Sequence, residues 1–194
     1  MPKKVDQRER RTLIADALMR VAADRGLEAV SLRHVAAEAG VSTGMVQHWF
    51  GTKDEMMAFA MEVVRERNQA RVTEAVAALG ADPAPRDLLR TIIATLLPLD
   101  EESRADGRVA LAFLAYTAVR PTASAVLREE TAQMAGFFGS LVPVPERGLD
   151  LLALMEGLGV YLLGGQFTPD QARAVLDAQL DLLFRTQHDH RVGE

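Results

Sequence analysis

The chain contains no cysteine, which removes disulfides, thiolate zinc sites, iron–sulfur clusters and a cysteine nucleophile together. A reducing, intracellular home suits that count. Aromatic residues are scarce, with seven Phe, two Tyr and one Trp among 194 residues. Beside abundant Ala and Leu, that scarcity points to helices rather than sheets. Long apolar runs are missing too. The longest, Leu149–Gly165, is interrupted by Asp150 and Glu156, which makes it too short and too polar for a membrane span. Met1–Arg11 is charged rather than a signal-peptide core, so no membrane partner is expected. What is present is ample core material. A hydrophobic share of 48% with 25% charged residues excludes a wholly disordered chain, since such chains lack the apolar content to offset the entropy of ordering.

The net charge of −5 argues at first against a nucleic-acid partner. Dividing the chain changes that. Residues 1–53 carry nine Lys and Arg against six Asp and Glu, a balance of +3, whereas residues 54–194 carry 13 against 21, a balance of −8. A basic head on an acidic body fits a polyanion that meets the head alone. Random fluctuation of charge is the other reading of the same arithmetic.

Apolar spacing and punctuation predict an all-α chain of about nine helices. The first spans Arg8–Arg25, with Leu13, Ile14, Ala17, Leu18 and Val21 inward, and Gly26 stops it. Ser31 caps a second, short helix to about Ala39, with Leu32, Val35 and Ala36 inward. Gly40 supplies a left-handed turn residue. Ser42 caps a third helix that buries Met45, Val46 and Phe50. Thr52-Lys53-Asp54-Glu55 reads as a capping box for a long fourth helix to about Leu79. The Gly80–Pro85 stretch is the clearest break. Beyond it, helices are expected over about 86–97, 101–117, 122–141 and 146–163, divided by prolines, and a last one from Thr168 and Pro169 to about Thr186. The tail after Gln187 is polar, and a frayed end is expected there.

Residues 31–50 have the layout of a helix-turn-helix. With Val46 and Phe50 inward, the third helix turns Thr43, Gly44, Gln47 and His48 outward, short or polar groups suited to base edges, and Gly44 lets the backbone come close. Ser42, Thr43, Trp49 and Lys53 are donors placed for phosphates. A cation such as Lys53 in a first helical turn opposes the helix dipole, so a polyanion explains it better than stability does.

The run Ser31–Met56, with Ala39-Gly40-Val41-Ser42, then Gly44, Trp49-Phe50 and Lys53 followed by acids, resembles the N-terminal domain of the TetR family of dimeric transcriptional repressors. Within that family the segment Gly40–Phe50 is most similar to the regulators of choline and betaine metabolism. The resemblance covers about residues 8–60. Family members commonly carry tyrosine where Gln47 and Trp49 stand, and Gln47 is able to pair bidentately with adenine. Trp49 has two readings, phosphate clamp or core. The resemblance implies that Arg33 reaches a base or phosphate; a solvated arginine is the alternative. Lys3, Lys4, Arg8, Arg10 and Arg11 form either an arm along the DNA backbone or minor groove or a charged tail.

The body shows no motif of its own. The helix over 146–163 is apolar all round, so it is buried on two sides, and the last helix adds Val175, Leu176, Leu182 and Leu183. A two-fold dimer interface, two helices from each subunit, is the natural sink for the surplus; a larger monomeric core is the other reading. Its candidate residues are Leu152, Met155, Glu156, Val160, Val175, Leu176 and Leu183. Glu156, alone in an apolar run, either pairs across the dimer, faces solvent or meets a cationic ligand. Met57, Met61, Phe113, Tyr116, Gln133, Met134 and Phe137 are candidates to line an effector pocket, plain core packing being the other explanation.

No phosphate loop, G-x-S-x-G or H-E-x-x-H is present, so no enzyme, cofactor or metal is expected. His188 and His190 form only a weak metal motif. The expectation is a DNA-binding head over residues 1–52 and a sensing, dimerising body over 53–194. Together they make a cytoplasmic, nucleoid-associated regulator whose partners are palindromic operator DNA, an unidentified small-molecule effector and a second copy. A same-fold regulator answering to a protein partner, and an all-α binding protein or enzyme, are the rival readings.

Overall fold

The computed structural model describes residues 2–26, 29–118 and 124–185, and among them there are nine α-helices and no strand. In chain order these are α1 Pro2–Arg25, α2 Leu32–Ala39, α3 Thr43–Trp49, α4 Lys53–Ala77, α5 Pro85–Leu96, α6 Glu101–Ala118, α7 Ser124–Leu141, α8 Gly148–Leu163 and α9 Pro169–Arg185, with a 3-10 turn at Pro145–Arg147 ahead of α8. The expected start of the first helix at Arg8 is corrected to Pro2. The segment before Arg8 has no apolar stripe, but its charged residues are good helix formers, proline suits a first helical position, and Arg8 pairs with Glu66 of α4.

Local chemistry sets the helix ends. Gly26 leaves α1 at φ 76, and Pro85 opens α5. Thr168 and Gln171 cap α9 reciprocally, with Thr168 N–H donating to Gln171 Oε1 at 2.9 Å and Gln171 N–H to Thr168 Oγ1 at 3.2 Å. Ser103 N–H donates to Asp100 Oδ1 at 2.8 Å at the start of α6. That bond, and a second from the Ser103 hydroxyl, hold the Asp100 carboxyl below its usual range.

The chain forms two compact units. The first comprises the chain up to Gln69 together with Arg104–Tyr116; the second comprises Ala70–Ser103 and the chain from Thr117 onward. In the first, Ile14, Leu18 and Val21 of α1 pack with Val35 and Ala36 of α2, Val46, Phe50, and Met56, Met57, Ala60 and Val64 of α4, closed by Val109 of α6. Leu13, expected inward, is 46% exposed. Asp106 is buried beside Arg67, whose guanidinium spans Asp16 at 2.6 Å and Asp106 at 3.5 Å. Burial alone would lower that guanidinium's pKa, but the bond to Asp16 and the charges of both aspartates outweigh it and leave it raised. Three helices are thereby tied at one point.

In the second unit, Leu89, Ile92 and Ile93 of α5 meet Phe138 of α7, Leu151, Leu158 and Leu162 of α8, and Ala172, Leu176 and Leu180 of α9. Arg86 and Arg90 of α5 flank that seam with ion pairs to Asp181 and Asp177 of α9, each 2.6 Å. α7 and α8 approach so closely that a Cβ on Gly148 would lie 2.2 Å from the Ala135 carbonyl oxygen, so only glycine fits there. No helix among the described residues is long and apolar enough to cross a membrane.

Candidate nucleic-acid interface

The two short helices of the head are held by their own side chains. Ser31 Oγ accepts from His34 N–H at 3.2 Å and Ser42 Oγ from Met45 N–H at 3.1 Å, satisfying first-turn donors that have no partner within the helix. Between them Gly40 sits at φ 67, where any Cβ would be strained. Its turn is closed by Val41 N–H donating to the Ala36 carbonyl at 3.0 Å. The box expected at Thr52–Glu55 forms with one change. Glu55 N–H donates to Thr52 Oγ1 at 3.1 Å, but the Glu55 carboxylate accepts from Gly51 N–H at 2.8 Å.

α3 is thereby oriented. Val46 and the capping residue Phe50 are buried, Met45 is half-buried, and Thr43, Gly44, Gln47 and His48 are exposed together with Ser42. Gly44 shows why a residue without a side chain is unexpected here on internal grounds. A Cβ on it would have Ser42 Oγ at 3.9 Å as its nearest atom, ordinary contact, and φ is not positive at this position. The head itself has room for a larger residue, and glycine costs helix stability.

Around α3 the other candidates are distributed as follows. Trp49 is half-buried against the first core and meets the His48 ring edge-on, centroids 5.0 Å apart, so its indole is shared between core and surface. Lys53, the first residue of α4, is half-buried. Arg33 on α2 is exposed. His34 Nδ1 lies 2.6 Å from the Ala29 carbonyl oxygen, which ties that ring to the preceding loop.

The seven pocket candidates fall into both units: Met57, Met61, Phe113 and Tyr116 in the first, Gln133, Met134 and Phe137 in the second. Met57 is buried in the first core, with Met61 and Phe113 packed on it. The Tyr116 hydroxyl donates to the Asp54 carboxylate in the first turn of α4, a contact across 62 positions that spacing alone did not signal. Met134 packs on the second core, whereas Gln133 and Phe137 are exposed.

Among the dimer candidates, Leu152 and Leu176 are corrected. Both are buried in the second unit's own core, Leu176 at 1% exposure, because α5 and α7 already cover that side of α8 and α9. Met155 and Leu183 pack partly on the same core, while Val160 and Val175 are exposed. Glu156 is exposed by surface area, yet desolvation raises its carboxyl above the usual range. His188 and His190 lie outside the described residues. Among the described residues no three His, Asp or Glu side chains gather as a metal site.

Comparison with known proteins agrees with this geometry. Residues 14–59 match the family described as "Bacterial regulatory proteins, tetR family" and residues 85–185 match "BetI-type transcriptional repressor, C-terminal". The HTH-type transcriptional regulator PksA of Bacillus subtilis is 39% identical over 116 residues, 60% of this chain and 55% of that protein. The HTH-type transcriptional regulator BetI of Stenotrophomonas maltophilia is 30% identical over 193 residues, covering 93% of this chain and 96% of its own. A transcriptional regulator from Rhodococcus sp. Rha1, solved as a crystal structure, superposes with a TM-score of 0.81 at 34% identity, covering 91% of this chain and 96% of that one.

Proposed function

The chain belongs to the TetR family of bacterial transcriptional regulators, and from that premise we propose a specific arrangement. It acts as a homodimer whose two α3 helices enter successive major grooves of a palindromic operator, about 34–36 Å apart, and a small-molecule effector releases it. Members of this family bind DNA and small effectors, typically as dimers, and are not enzymes. The observation that carries the reading is the two-sidedness of α3. Val46 and Phe50 are buried, while Thr43, Gly44, Gln47 and His48 stand exposed on the other face, a strip of short and polar groups of the size base edges accept.

In this arrangement Thr43, Gln47 and His48 read bases, and Gly44 admits the groove wall. Ser42, Lys53 and the Trp49 indole N–H hold phosphates, and Arg33 approaches from α2. Sensing and dimerisation belong to residues 53–194, with Gln133, Met134 and Phe137 of α7 as effector contacts. Binding releases DNA only as far as the effector prefers the geometry that does not fit the operator. Such a regulator works beside the chromosome, in the cytoplasm.

Selection of duplexes from a random pool by the full-length protein tests this. A palindromic site is the expected yield. On that site Gln47→Ala costs about 1–3 kcal/mol at one base pair and leaves the others unchanged. Lys53→Ala weakens binding to every sequence and lowers the salt slope by about one. A protein that enriches no duplex, or prefers heparin to all of them at moderate salt, overturns the reading.

A further inference from the structure

We propose that Arg11 is a positioning residue for the DNA-reading helix, acting through Phe50 to fix the angle at which α3 is presented. This rests on the assignment of α3 as that helix. Arg11 belongs to the basic N-terminal segment whose simplest use would be an electrostatic arm. The structure puts its charge elsewhere. The guanidinium carbon lies 4.2 Å from the centroid of the Phe59 ring and 5.0 Å from that of Phe50, within the range of cation–π attraction to both. The two rings meet each other at 5.6 Å with a 50° tilt. One cation from α1 is thus stacked on an aromatic pair formed by the end of α3 and the second turn of α4.

Two further features mark this as a built contact. Arg11 Nε is buried with no hydrogen-bond partner, a costly state for a donor, and among the described residues no carboxylate pairs with the side chain. The ring faces are what holds it. Moreover, α3 has few anchors of its own. It is seven residues long, too short to persist without tertiary support, and Val46 is its one buried residue. At its exit there is a single backbone bond, Phe50 N–H to the Val46 carbonyl at 2.9 Å. Val46 and the half-buried Trp49 seat the helix on the first core, and the Phe50 ring at its exit is a further point that defines its direction. Whatever fixes that ring fixes where Thr43 and Gln47 stand relative to base edges, and recognition tolerates errors of only about 0.5 Å there.

The alternative role, a phosphate contact, makes opposite predictions, so five proteins decide between them: wild type, Arg11→Met, Arg11→Lys, Phe59→Leu and the double variant Arg11→Met/Phe59→Leu. Each full-length dimer is titrated by fluorescence anisotropy at several salt concentrations, against a duplex selected from a random pool and a scrambled duplex of equal length. Thermal melts are recorded in parallel. Arg11→Met is expected to lower the ratio of selected to scrambled affinity about three- to tenfold with the salt slope unchanged. Arg11→Lys, keeping the charge but not the planar stack, recovers part of that loss. In the Phe59→Leu background Arg11→Met costs less than it does alone, because part of its partner is gone. Full recovery by lysine, or a slope lower by about one in Arg11→Met, overturns the proposal in favour of a phosphate contact. An equal fall on both duplexes that tracks a lowered melting temperature overturns it in favour of general stability. If Arg11→Met does not fold, the lysine variant decides by the same ratio. Failure of the wild type to prefer any duplex strikes the reading of α3 itself, whereas a normal ratio in Arg11→Met beside a discriminating wild type strikes Arg11 alone.

Discussion

Two surfaces of this molecule are exposed for opposite chemical reasons. On α3 the outward residues are Thr43, Gly44, Gln47 and His48, small or polar groups that water serves well, so nothing about folding requires a partner there. On α8 and α9 several large apolar residues stand outward among polar ones. Leu149 is 59% exposed, Val160 43% and Leu182 64%, with Tyr161 and Val175 beside them. Monomeric proteins seldom leave such groups together in water. Leu149, Ala153, Glu156 and Val160 recur at helical spacing and are all exposed, a stripe of the kind that seats on another helix. The first surface has no need of cover, and on the proposed reading it discriminates without being sticky; the second gains free energy from any apolar cover. A regulator needs that division, because a reading head must let go of wrong sequences while a dimer must stay assembled.

Breaking the apolar surface is expected to have the largest effect. In the doubly substituted Val160→Glu/Val175→Glu chain, two charges enter the stripe while Leu152 and Leu176 keep the second core intact. Sedimentation should report monomers with normal helicity. Operator affinity should fall about 100-fold or more, since one head then binds without the gain from the second. A soluble dimer with unchanged affinity would place the interface elsewhere.

The polar surface is sharpened by a smaller change. Gly44→Ala adds one methyl group to a place where the chain has room for it, so thermal stability should hold or rise by up to about 1 kcal/mol. Operator affinity should fall by about 1 kcal/mol or more, because the methyl group stands where a base edge or sugar must come close. Stability and binding moving in opposite directions is the signature of a residue chosen for a partner. If both rise together, glycine has no role in the groove.

The two surfaces also differed in how far they could be read from residue order. The caps at Ser31, Ser42 and Thr52, the turn at Gly40 and the outward set on α3 were all legible, because each depends on chemistry within four residues or on a clean division between apolar and polar faces. The body resisted. When a helix is apolar all round, periodicity does not say which leucines its own chain covers, and so spacing assigns Leu152 and Leu176 to the dimer although both lie in the second unit's core. α1 escaped notice before Arg8 because a charged helix has propensity without a stripe. Contacts made across the fold, Arg11 on Phe50 and Phe59 or Tyr116 on Asp54, leave no local trace at all.

Glu156 is where the apolar surface departs from its own rule, and its effect is the smallest and the most diagnostic. Desolvation raises its carboxyl, and no cation among the described residues offsets that shift. A carboxyl whose folded pKa exceeds its unfolded one binds its proton more tightly when folded. It therefore costs nothing below the ordinary carboxylate range, and its penalty grows as pH climbs from there to the raised value and persists above it. Association would bury the group further and widen the gap. At neutral pH, Glu156→Gln is therefore expected to tighten the dimer several-fold. The wild-type dimer should tighten as pH falls from neutral through the raised carboxyl value toward the ordinary carboxylate range, while the glutamine variant lacks that dependence. Sedimentation equilibrium across that range measures both. A looser dimer in Glu156→Gln at pH 7 would mean that a cation of the second subunit meets the carboxylate. The stripe would then carry one charge pair that sets register, as buried polar groups do in paired helices.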